Sequence, residues 1–403
     1  LAVVLQTIWS FKVFDLIFVL TKAGPADATL LLNFLAYRVS FNFLDFGYGA
    51  AIANVIFVIM FVLAVVVIRV MKPGAPRRAL TPRPSPTAAG EGSRVTAATL
   101  DRAPFVQCNL RGAGGEGLPA PPSPSRRRMR RALGAWGVRV GLAVFTVWTL
   151  APIVWMIVSS FLRQRALTSR PPDLRPEMWT VGNYAQVLAT GQGLVPALLN
   201  STIVALGTTL IALALGAAAA YALARLGVPG GNRIALLVLA TQMFPGIVIV
   251  IPLFIVLSRL GLIDTYPGLI VVYLSFVLPV AIWILKGFFE AIPPALEKAA
   301  AIDGASVLQT FRLVVLPISL PPLFAAAIFA FIESWNEFLF AVILTRTQTK
   351  TVPIAISEFS GQYQTQVGQM LAAAALACLP VVLLAIVFRR AILLGFAEGA
   401  IKG

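Results

Sequence analysis

The chain has 403 residues, of which 59% are hydrophobic and 12% charged, and its formal net charge is +16. This much apolar surface exceeds what a soluble core of that length can hide, so the composition indicates a membrane protein. Histidine is absent and the only cysteines are Cys108 and Cys378, which excludes histidine-based metal sites, Ser/His/Asp triads and a disulfide framework.

Continuous apolar runs predict an all-α, polytopic membrane protein with about eight transmembrane helices. Helices are expected because each satisfies its backbone hydrogen bonds within one segment when no water is present. The predicted spans are residues 1–20, 50–70, 135–160, 197–224, 233–259, 267–288, 318–344 and 370–390. No initiator Met, charged leader or cleavage site precedes the first span, so we expect no signal peptide and interpret the start as that of a fragment.

Residues 73–131 are rich in Pro, Gly, Ala and Arg and predict a disordered cytoplasmic linker. The stretch ends in a basic cluster, Arg126, Arg127, Arg128, Arg130 and Arg131. By the positive-inside rule this cluster places the start of the third span in the cytoplasm. The later loops alternate accordingly, except for the outer segment 162–195, which is also rich in arginine. A nucleic-acid arm is the alternative for the cluster, but we expect no nucleic-acid partner.

An internal repeat links the start of the chain to its end. The segment SFKVFDLIFVLT at 10–21 aligns without a gap on SWNEFLFAVILT at 334–345. After similar loops, Gly47, Ala51, Ala53 and Arg69 align on Gly368, Ala372, Ala374 and Arg390. The order and spacing of two spans therefore recur, as is typical of transporters built from paired units.

The predicted cytoplasmic loop before the span 318–344 reads EAIPPALEKAAAIDGASVLQTFRLVVLPISLPP. Pro293 and Pro294 end the preceding helix and can begin a new one, since the first turn does not need their missing N–H groups. Strong helix formers at 295–301 predict a short helix, and Gly304 predicts a left-handed turn that ends it. Pro317 marks the return to the membrane.

This loop resembles the EAA loop of binding-protein-dependent ABC importers, in which Glu-Ala-Ala is followed by three residues, Gly, nine residues, Ile, one residue and Leu-Pro. Val314 replaces Ile, and Lys298 stands where the pattern has Glu, with Glu297 one position earlier. In that family the loop is a coupling helix that sits in a cleft of the ATPase subunit. The resemblance implies the coupling residues Glu297, Lys298, Ala299, Ala300, Asp303, Gly304, Leu316 and Pro317. An amphipathic connector without a partner is the alternative.

Further segments resemble the carbohydrate branch of that family, the maltose- and trehalose-type permeases. TIWSFKVFDLIFVLTKAGPADAT at 7–29 is similar to the end of the larger maltose-type subunit. ESWNEFLFAVIL at 333–344 and GFAEGAIKG at 395–403 are similar to the smaller one. The resemblance implies a type I ABC importer permease fold in the inner membrane, in contact with lipid. It also implies three kinds of partner: a second permease subunit, a dimer of ATPase subunits and an extracytoplasmic sugar-binding protein.

The resemblance and the repeat together predict three parts. Residues 1–72 are expected to be the C-terminal two spans of a first permease unit, and 73–131 the linker. Residues 132–403 are expected to form a complete six-span second unit with the coupling loop at 290–317. The sequence contains no Gly-x-x-x-x-Gly-Lys-Ser/Thr phosphate loop, so we expect ATP to bind elsewhere. The resemblance implies that a partner ATPase uses ATP and Mg, and we expect no catalytic residue, metal or bound cofactor in this chain.

Polar residues inside the predicted spans are candidates for the substrate pathway, because such groups are costly in lipid unless they face water or a partner. The candidates are Glu333, Trp335, Asn336, Glu337 and Gln242, with Asn200 and Tyr273 in addition. Sugars are bound through hydrogen bonds and aromatic stacking, which Asn336 and Trp335 can provide. The alternative is that Glu333 and Asn336 form hydrogen bonds between helices and never touch the substrate.

The sequence thus predicts a permease subunit of an ATP-driven importer that passes a disaccharide or oligosaccharide. One alternative is a permease of the same machinery for another solute, such as a glycerophosphate or a polyamine. Another is an ion-coupled secondary transporter, which would use carboxylates on broken helices.

Overall fold

The computed structural model describes residues 14–24, 27–70, 124–189, 193–361 and 365–389. Within these ranges the chain is helical and has no β-strand longer than an isolated bridge. The α-helices are α1 Asp15–Leu20, α2 Leu32–Tyr37, α3 Phe46–Val70, α4 Pro124–Ser160, α5 Gln164–Thr168, α6 Gly182–Ala189, α7 Leu194–Arg225, α8 Gly231–Ala240, α9 Gly246–Arg259, α10 Tyr266–Ala291, α11 Pro294–Ile302, α12 Val307–Thr310, α13 Leu316–Ile318, α14 Leu320–Trp335, α15 Leu339–Leu344, α16 Val352–Glu358 and α17 Val367–Val387.

Four helical segments in the described residues are long and apolar enough to cross a membrane: Val138–Ser160, Leu194–Arg225, Tyr266–Ala291 and Val367–Val387. A fifth crossing is possible if Val307–Ile318 and Leu320–Trp335, which are bent by 79° at Ser319, form one broken span. The shorter apolar helices Phe46–Val62, α8 and α9 add to this set. The polytopic helical fold is confirmed, and five of the predicted spans, 50–70, 135–160, 197–224, 267–288 and 370–390, each lie mainly on one unbroken helix.

Two compact units divide the chain: Leu1–Met71 together with Pro152–Gly403, and Lys72–Ala151. Residues 73–123 of the predicted linker lie outside the described residues, as do residues 1–13 of the first predicted span. The predicted end of the linker at 131 is wrong, because α4 already begins at Pro124. Proline is favoured at a first helical position, and the Arg, Met and Ala residues that follow are good helix formers.

The core of the larger unit is formed by α7, α10 and α14. Ala212, Val277 and Ala330, one from each helix, pack together and are fully buried. Small residues allow this close approach: a Cβ added at Gly216 of α7 would lie 3.6 Å from the Ala281 and Leu278 side chains of α10. Helices in membranes associate through such small-residue contacts, so Gly216 serves helix packing.

The prediction of one continuous helix over 233–259 is wrong. α8 ends at Ala240, a 3-10 turn follows at Thr241–Met243, and Phe244 is extended, with ψ 126°. Phe244 precedes Pro245, and the proline ring disfavours helical backbone at the residue before it. α9 then starts afresh at Gly246, where the chain passes close to another helix: an added Cβ would lie 3.1 Å from Leu339 Cδ2.

The prediction of one continuous helix over 318–344 is also wrong. α14 ends at Trp335, and α15 begins at Leu339 after a break. The Glu337 carboxylate accepts hydrogen bonds from the N–H groups of Phe340 at 2.8 Å and Ala341 at 3.0 Å. These side-chain bonds take the place of the helical bonds that a continuous span would need.

The helices at the start of the described chain occur again, in the same order, at its end. α1 and α15 have six residues each, and the residues before them have nearly the same backbone: Phe14 has φ −126° and ψ −47°, Phe338 φ −120° and ψ −46°. A short helix follows in each copy, α2 and α16, and then a long one, α3 and α17. The first three helices therefore correspond, in the same order, to the last three, as the alignment of the two sequence segments predicts.

Candidate functional site

The loop between α10 and α14 folds largely as its prolines and glycine predict. α11 runs from Pro294 to Ile302, close to the predicted 295–301, and Gly304 has φ +83°, which confirms the left-handed turn. A capping box between Ser306 and Gln309 then starts α12. A π-helical turn and α13 lead to the bend at Ser319.

This loop exposes a group of large apolar side chains, which we call the loop apolar surface: Leu296, Ile302, Val307, Leu308 and Leu313. Ile302 is 86% exposed and Leu313 72% exposed. Of the predicted coupling residues, Lys298, Ala299, Asp303, Gly304 and Pro317 are exposed, Glu297 and Leu316 are half-buried, and Ala300 is buried. A cluster of apolar side chains next to charged ones is typical of a protein–protein contact.

Glu297 has a partner within the chain. Its carboxylate lies 3.3 Å from the Nε of Arg225, at the end of α7, as an ion pair without the directed geometry of a hydrogen bond. The Arg225 guanidinium also donates to the carbonyl of Ile292, just before α11. Arg225 is one of the basic residues that flank the predicted spans, and in the structure it ties the loop helix to a core helix. These contacts link α11 directly to the end of α7.

The substrate-pathway candidates lie around the break between α14 and α15. Glu333 and Glu337 are half-buried, Asn336 is exposed, and Trp335 is 3% exposed and stacked on Phe331. The buried Tyr273 hydroxyl lies beside the Glu337 carboxylate but does not make a well-formed hydrogen bond. Glu337 thus stabilises the start of α15 within its own segment, and its role in the substrate pathway stays a prediction.

A cavity of about 430 Å³ opens beside this break. Its wall includes Trp335, Asn336 and Phe338 at the break, Cys378 of α17, and Asp15 of α1. Asp15 was not among the sequence candidates, although a carboxylate inside an apolar run is a usable signal. The cavity offers an amide, a carboxylate and aromatic edges, groups that can bind a hydroxylated ligand.

Gln242 and Asn200 are placed differently. Gln242 lies in the turn between α8 and α9, and is not part of the cavity wall. Asn200 donates to the carbonyls of Gln348 and Lys350 and accepts from the Tyr266 hydroxyl. Its amide is therefore engaged in holding the loop after α15, and Asn200 has a structural role here.

Asp264 binds the same loop through hydrogen bonds, and the sequence analysis did not identify this residue. The Asp264 carboxylate accepts from the backbone N–H groups of residues 346, 347, 348 and 349 at 3.0–3.1 Å, and from the Thr349 hydroxyl at 2.9 Å. Burial raises the pKa of this carboxyl, but the four N–H donors outweigh it, and the pKa lies well below its usual range. We call this contact the Asp264 clamp.

Among the described residues, no group of three His, Cys, Asp or Glu side chains is placed to hold a metal ion. The break between α8 and α9 lies next to the break between α14 and α15. Gly246, at the start of α9, lies beside Leu339 and Phe340 of α15.

Comparison with known proteins gives consistent matches. Residues 212–394 match the family model described as binding-protein-dependent transport system inner membrane component. A trehalose transport system permease protein of Mycobacterium tuberculosis is 41% identical over 259 residues, covering 64% of this chain and 93% of that protein. A trehalose/maltose transport system permease protein of Thermococcus litoralis is 36% identical over 267 residues, covering 66% and 95%.

A diacetylchitobiose uptake system permease protein of Streptomyces coelicolor is 36% identical over 264 residues, covering 65% of this chain and 87% of that protein. Among solved structures, the fold is similar to that of a bacterial ABC transporter involved in the import of the acidic polysaccharide alginate. The TM-score is 0.55 at 21% identity, over 65% of this chain and 97% of that one. At this identity the structural similarity concerns the fold alone.

Proposed function

Because the chain belongs to the family of inner-membrane components of binding-protein-dependent transport systems, the ABC importer permeases, we propose that it passes a sugar across the membrane. As a member of this family it is a transport permease and a multi-pass protein of the inner membrane. The relatives named for trehalose, maltose and diacetylchitobiose support a disaccharide or oligosaccharide as the substrate.

The loop apolar surface is the observation on which the coupling role depends. A helix bounded by proline and a left-handed glycine carries large apolar side chains into solvent, and Arg225 joins that helix to α7. An ATPase subunit that covers this surface can therefore move the core helices as it closes. In this proposal ATP and Mg are bound and used by the separate ATPase dimer, and the chain itself binds no cofactor.

The cavity beside the α14–α15 break is the proposed place of the sugar. Asn336 and Asp15 offer hydrogen-bonding groups to hydroxyls, and Phe338 and Trp335 offer apolar ring surface. An extracytoplasmic binding protein delivers the sugar, and a second permease subunit completes the pathway. Glu333, Glu337 and Gln242 do not form the wall of this cavity, and their part in the pathway stays a prediction.

The coupling role is tested by co-purification of the full chain with candidate sugar-importer ATPase subunits in detergent. The variant Ile302→Lys puts a charge into the loop apolar surface, and we expect it to lose the ATPase. The matched control is Val181→Lys, which changes a side chain that is 71% exposed on the opposite, outer segment. The control variant should retain ATPase binding.

Uptake of labelled trehalose or maltose into proteoliposomes, with a binding protein present, then tests the substrate. We expect uptake only with the ATPase and ATP. Uptake driven by an ion gradient in the absence of any ATPase would contradict the proposal and favour the ion-coupled alternative. Uptake of a glycerophosphate or polyamine instead would retain the coupling role and change the substrate.

A further inference from the structure

Another cavity lies at the base of the loop between α10 and α14, and we call it the loop-base cavity. Its volume is about 930 Å³, which is within the range of small-molecule sites. Its wall is mostly apolar and includes Leu236 of α8, Trp283 and Ile284 of α10, and Pro321 and Pro322 of α14. Leu236 and Trp283 are 67% and 40% exposed, so the wall reaches the surface of the apolar helices.

The charged groups of the loop-base cavity lie together. Lys286 of α10 is buried, and its Nζ donates to Asn232 Oδ1 at 3.1 Å and to Glu290 Oε1 at 2.5 Å. An ammonium group has three donors, so one is left without an acceptor among the described residues. Glu290 is exposed, and within the described part of the chain its second oxygen receives no hydrogen bond. The cavity therefore offers one donor and one acceptor side by side.

The loop-base cavity lies where α10 is expected to leave the membrane. Lys286 is near the end of the apolar helix Tyr266–Ala291, and Ile292 and Pro293, directly before α11, also line the cavity. Lysine and tryptophan are typical of this boundary, since each has an apolar body and a polar tip. A ligand that enters from the bilayer would meet polar groups at Lys286 and apolar surface at Trp283.

We propose that the loop-base cavity binds the headgroup of a phospholipid with a primary ammonium group, of the phosphatidylethanolamine type. The lipid phosphate accepts a hydrogen bond from Lys286, and the lipid ammonium donates one to Glu290. The beginning of the acyl chains covers Trp283 and Leu236. The lipid comes from the leaflet beside the loop helix α11, which is the cytoplasmic leaflet by the positive-inside rule.

The pair of opposite charges in the cavity distinguishes this headgroup from other common ones. Phosphatidylcholine carries the same charges, but its quaternary ammonium has no N–H group to donate to Glu290. Phosphatidylglycerol has a net negative charge, which the Glu290 carboxylate repels. A headgroup with both a phosphate and a primary ammonium therefore fits Lys286 and Glu290 best.

Native mass spectrometry of the full chain, purified in detergent without added lipid, tests the proposal. We expect short-chain phosphatidylethanolamine to bind at one site. Phosphatidylcholine and phosphatidylglycerol with the same acyl chains should bind about tenfold more weakly, as for the loss of one hydrogen bond to a charged group. Inorganic phosphate and free phosphoethanolamine are added as competitors. Neither should displace the lipid, because both lack the acyl chains that cover Trp283.

Two variants locate the bound lipid. Gly287→Leu fills the cavity, and it should fold because a Cβ added at Gly287, which lines the cavity, meets nothing within 4 Å. Lys286→Gln removes the ammonium. Each variant should weaken the binding of phosphatidylethanolamine about tenfold or more.

Both variants have a matched control elsewhere in the chain. Gly141→Leu changes a glycine of α4 that also has nothing within 4 Å of an added Cβ. Lys350→Gln changes a lysine that pairs with Glu358 at 2.5 Å, the same distance as between Lys286 and Glu290. Both controls should bind the lipid as the wild type does.

Three results would overturn the proposal. Equal binding of the three phospholipids would show contact without recognition of the headgroup. Unchanged binding in Gly287→Leu would place the lipid elsewhere, and this variant decides alone if Lys286→Gln does not fold. Displacement by inorganic phosphate or phosphoethanolamine would assign the cavity to a free phosphate compound. Because binding is measured on the chain alone, the result does not depend on which solute is transported.

Discussion

At the scale of single residues, charged side chains in this protein hold backbone in place. Asp264 binds the N–H groups of a loop distant in sequence, and Glu337 binds those at the start of α15. Arg225 donates to the Ile292 carbonyl, just before the loop helix α11, and forms an ion pair with the Glu297 carboxylate in that helix. Each of these residues stabilises a place where a helix ends or bends. These charges therefore act on the fold, at the places where helices end or bend.

Replacing Asp264 by Ala should lower the free energy of unfolding by about 1.5 to 3 kcal/mol, the range for losing hydrogen bonds to a charged group. The folded state lowers the pKa of Asp264. The stabilisation by the Asp264 clamp is therefore present above the unfolded pKa of about 3.9 and is lost as the pH falls below that value.

Thermal unfolding of wild type and Asp264→Ala in detergent between pH 3 and pH 7 measures the loss of stability. Glu177→Gln, at an exposed position of the outer segment, is the control. Equal midpoints for Asp264→Ala and wild type at pH 7 would contradict the clamp.

At the scale of helices, two glycines of α10 illustrate how one residue type has opposite effects in one element. A Cβ at Gly268 would overlap the backbone carbonyl of Leu262, whereas a Cβ at Gly287 would meet nothing within 4 Å. Gly268 is needed for a close approach of backbone to backbone. At Gly287 the structure leaves room for a side chain.

We expect Gly268→Ala to destabilise the protein by about 1 to 3 kcal/mol, since backbone atoms cannot yield as a side chain can. The matched change Gly287→Ala should be neutral or stabilise by about 0.5 to 1 kcal/mol, because alanine loses less entropy in a helix. Thermal unfolding in detergent of both variants decides this. A lower unfolding midpoint for Gly287→Ala than for Gly268→Ala would contradict the close approach between Gly268 and the Leu262 carbonyl.

At the scale of the molecule, the positive-inside rule predicts that the loop helix α11 lies in the cytoplasm and the segment with α5 and α6 outside. The orientation follows from the basic residues that flank the spans. The outer segment is an exception in composition, although part of its positive charge is paired: Arg175 lies 2.6 Å from Asp173. That guanidinium lowers the pKa of Asp173 to about 2.

Single cysteines test this orientation in the background with Cys108→Ser and Cys378→Ser. A membrane-impermeant maleimide should label Glu177→Cys in right-side-out vesicles and Ala295→Cys only in inverted vesicles. Both positions are exposed in the structure, so a lack of labelling cannot be attributed to burial. Labelling of Ala295→Cys from the outside would invert the topology and remove the loop helix from the reach of an ATPase.

Local chemistry in the sequence was sufficient to predict the helical membrane fold, the helix α11 and the left-handed Gly304, because apolar runs, prolines and a glycine act on their own neighbours. The family resemblance of the loop, with the matches to known permeases, led to the transport role. Which subunit residues 1–72 derive from stays a prediction. The coupling and substrate-pathway residues likewise await the experiments above.

Only the tertiary structure decided where the spans at 233–259 and 318–344 break, how Arg225 and Asp264 are used, and that Asp15 joins Asn336 at one cavity. Hydropathy records whether a residue can enter lipid, but it is nearly the same for a straight and a broken apolar helix. A break becomes stable only when a side chain or a close-packed neighbour replaces the lost backbone contacts, and the residues that do so, such as Glu337 and Gly246, act across the fold.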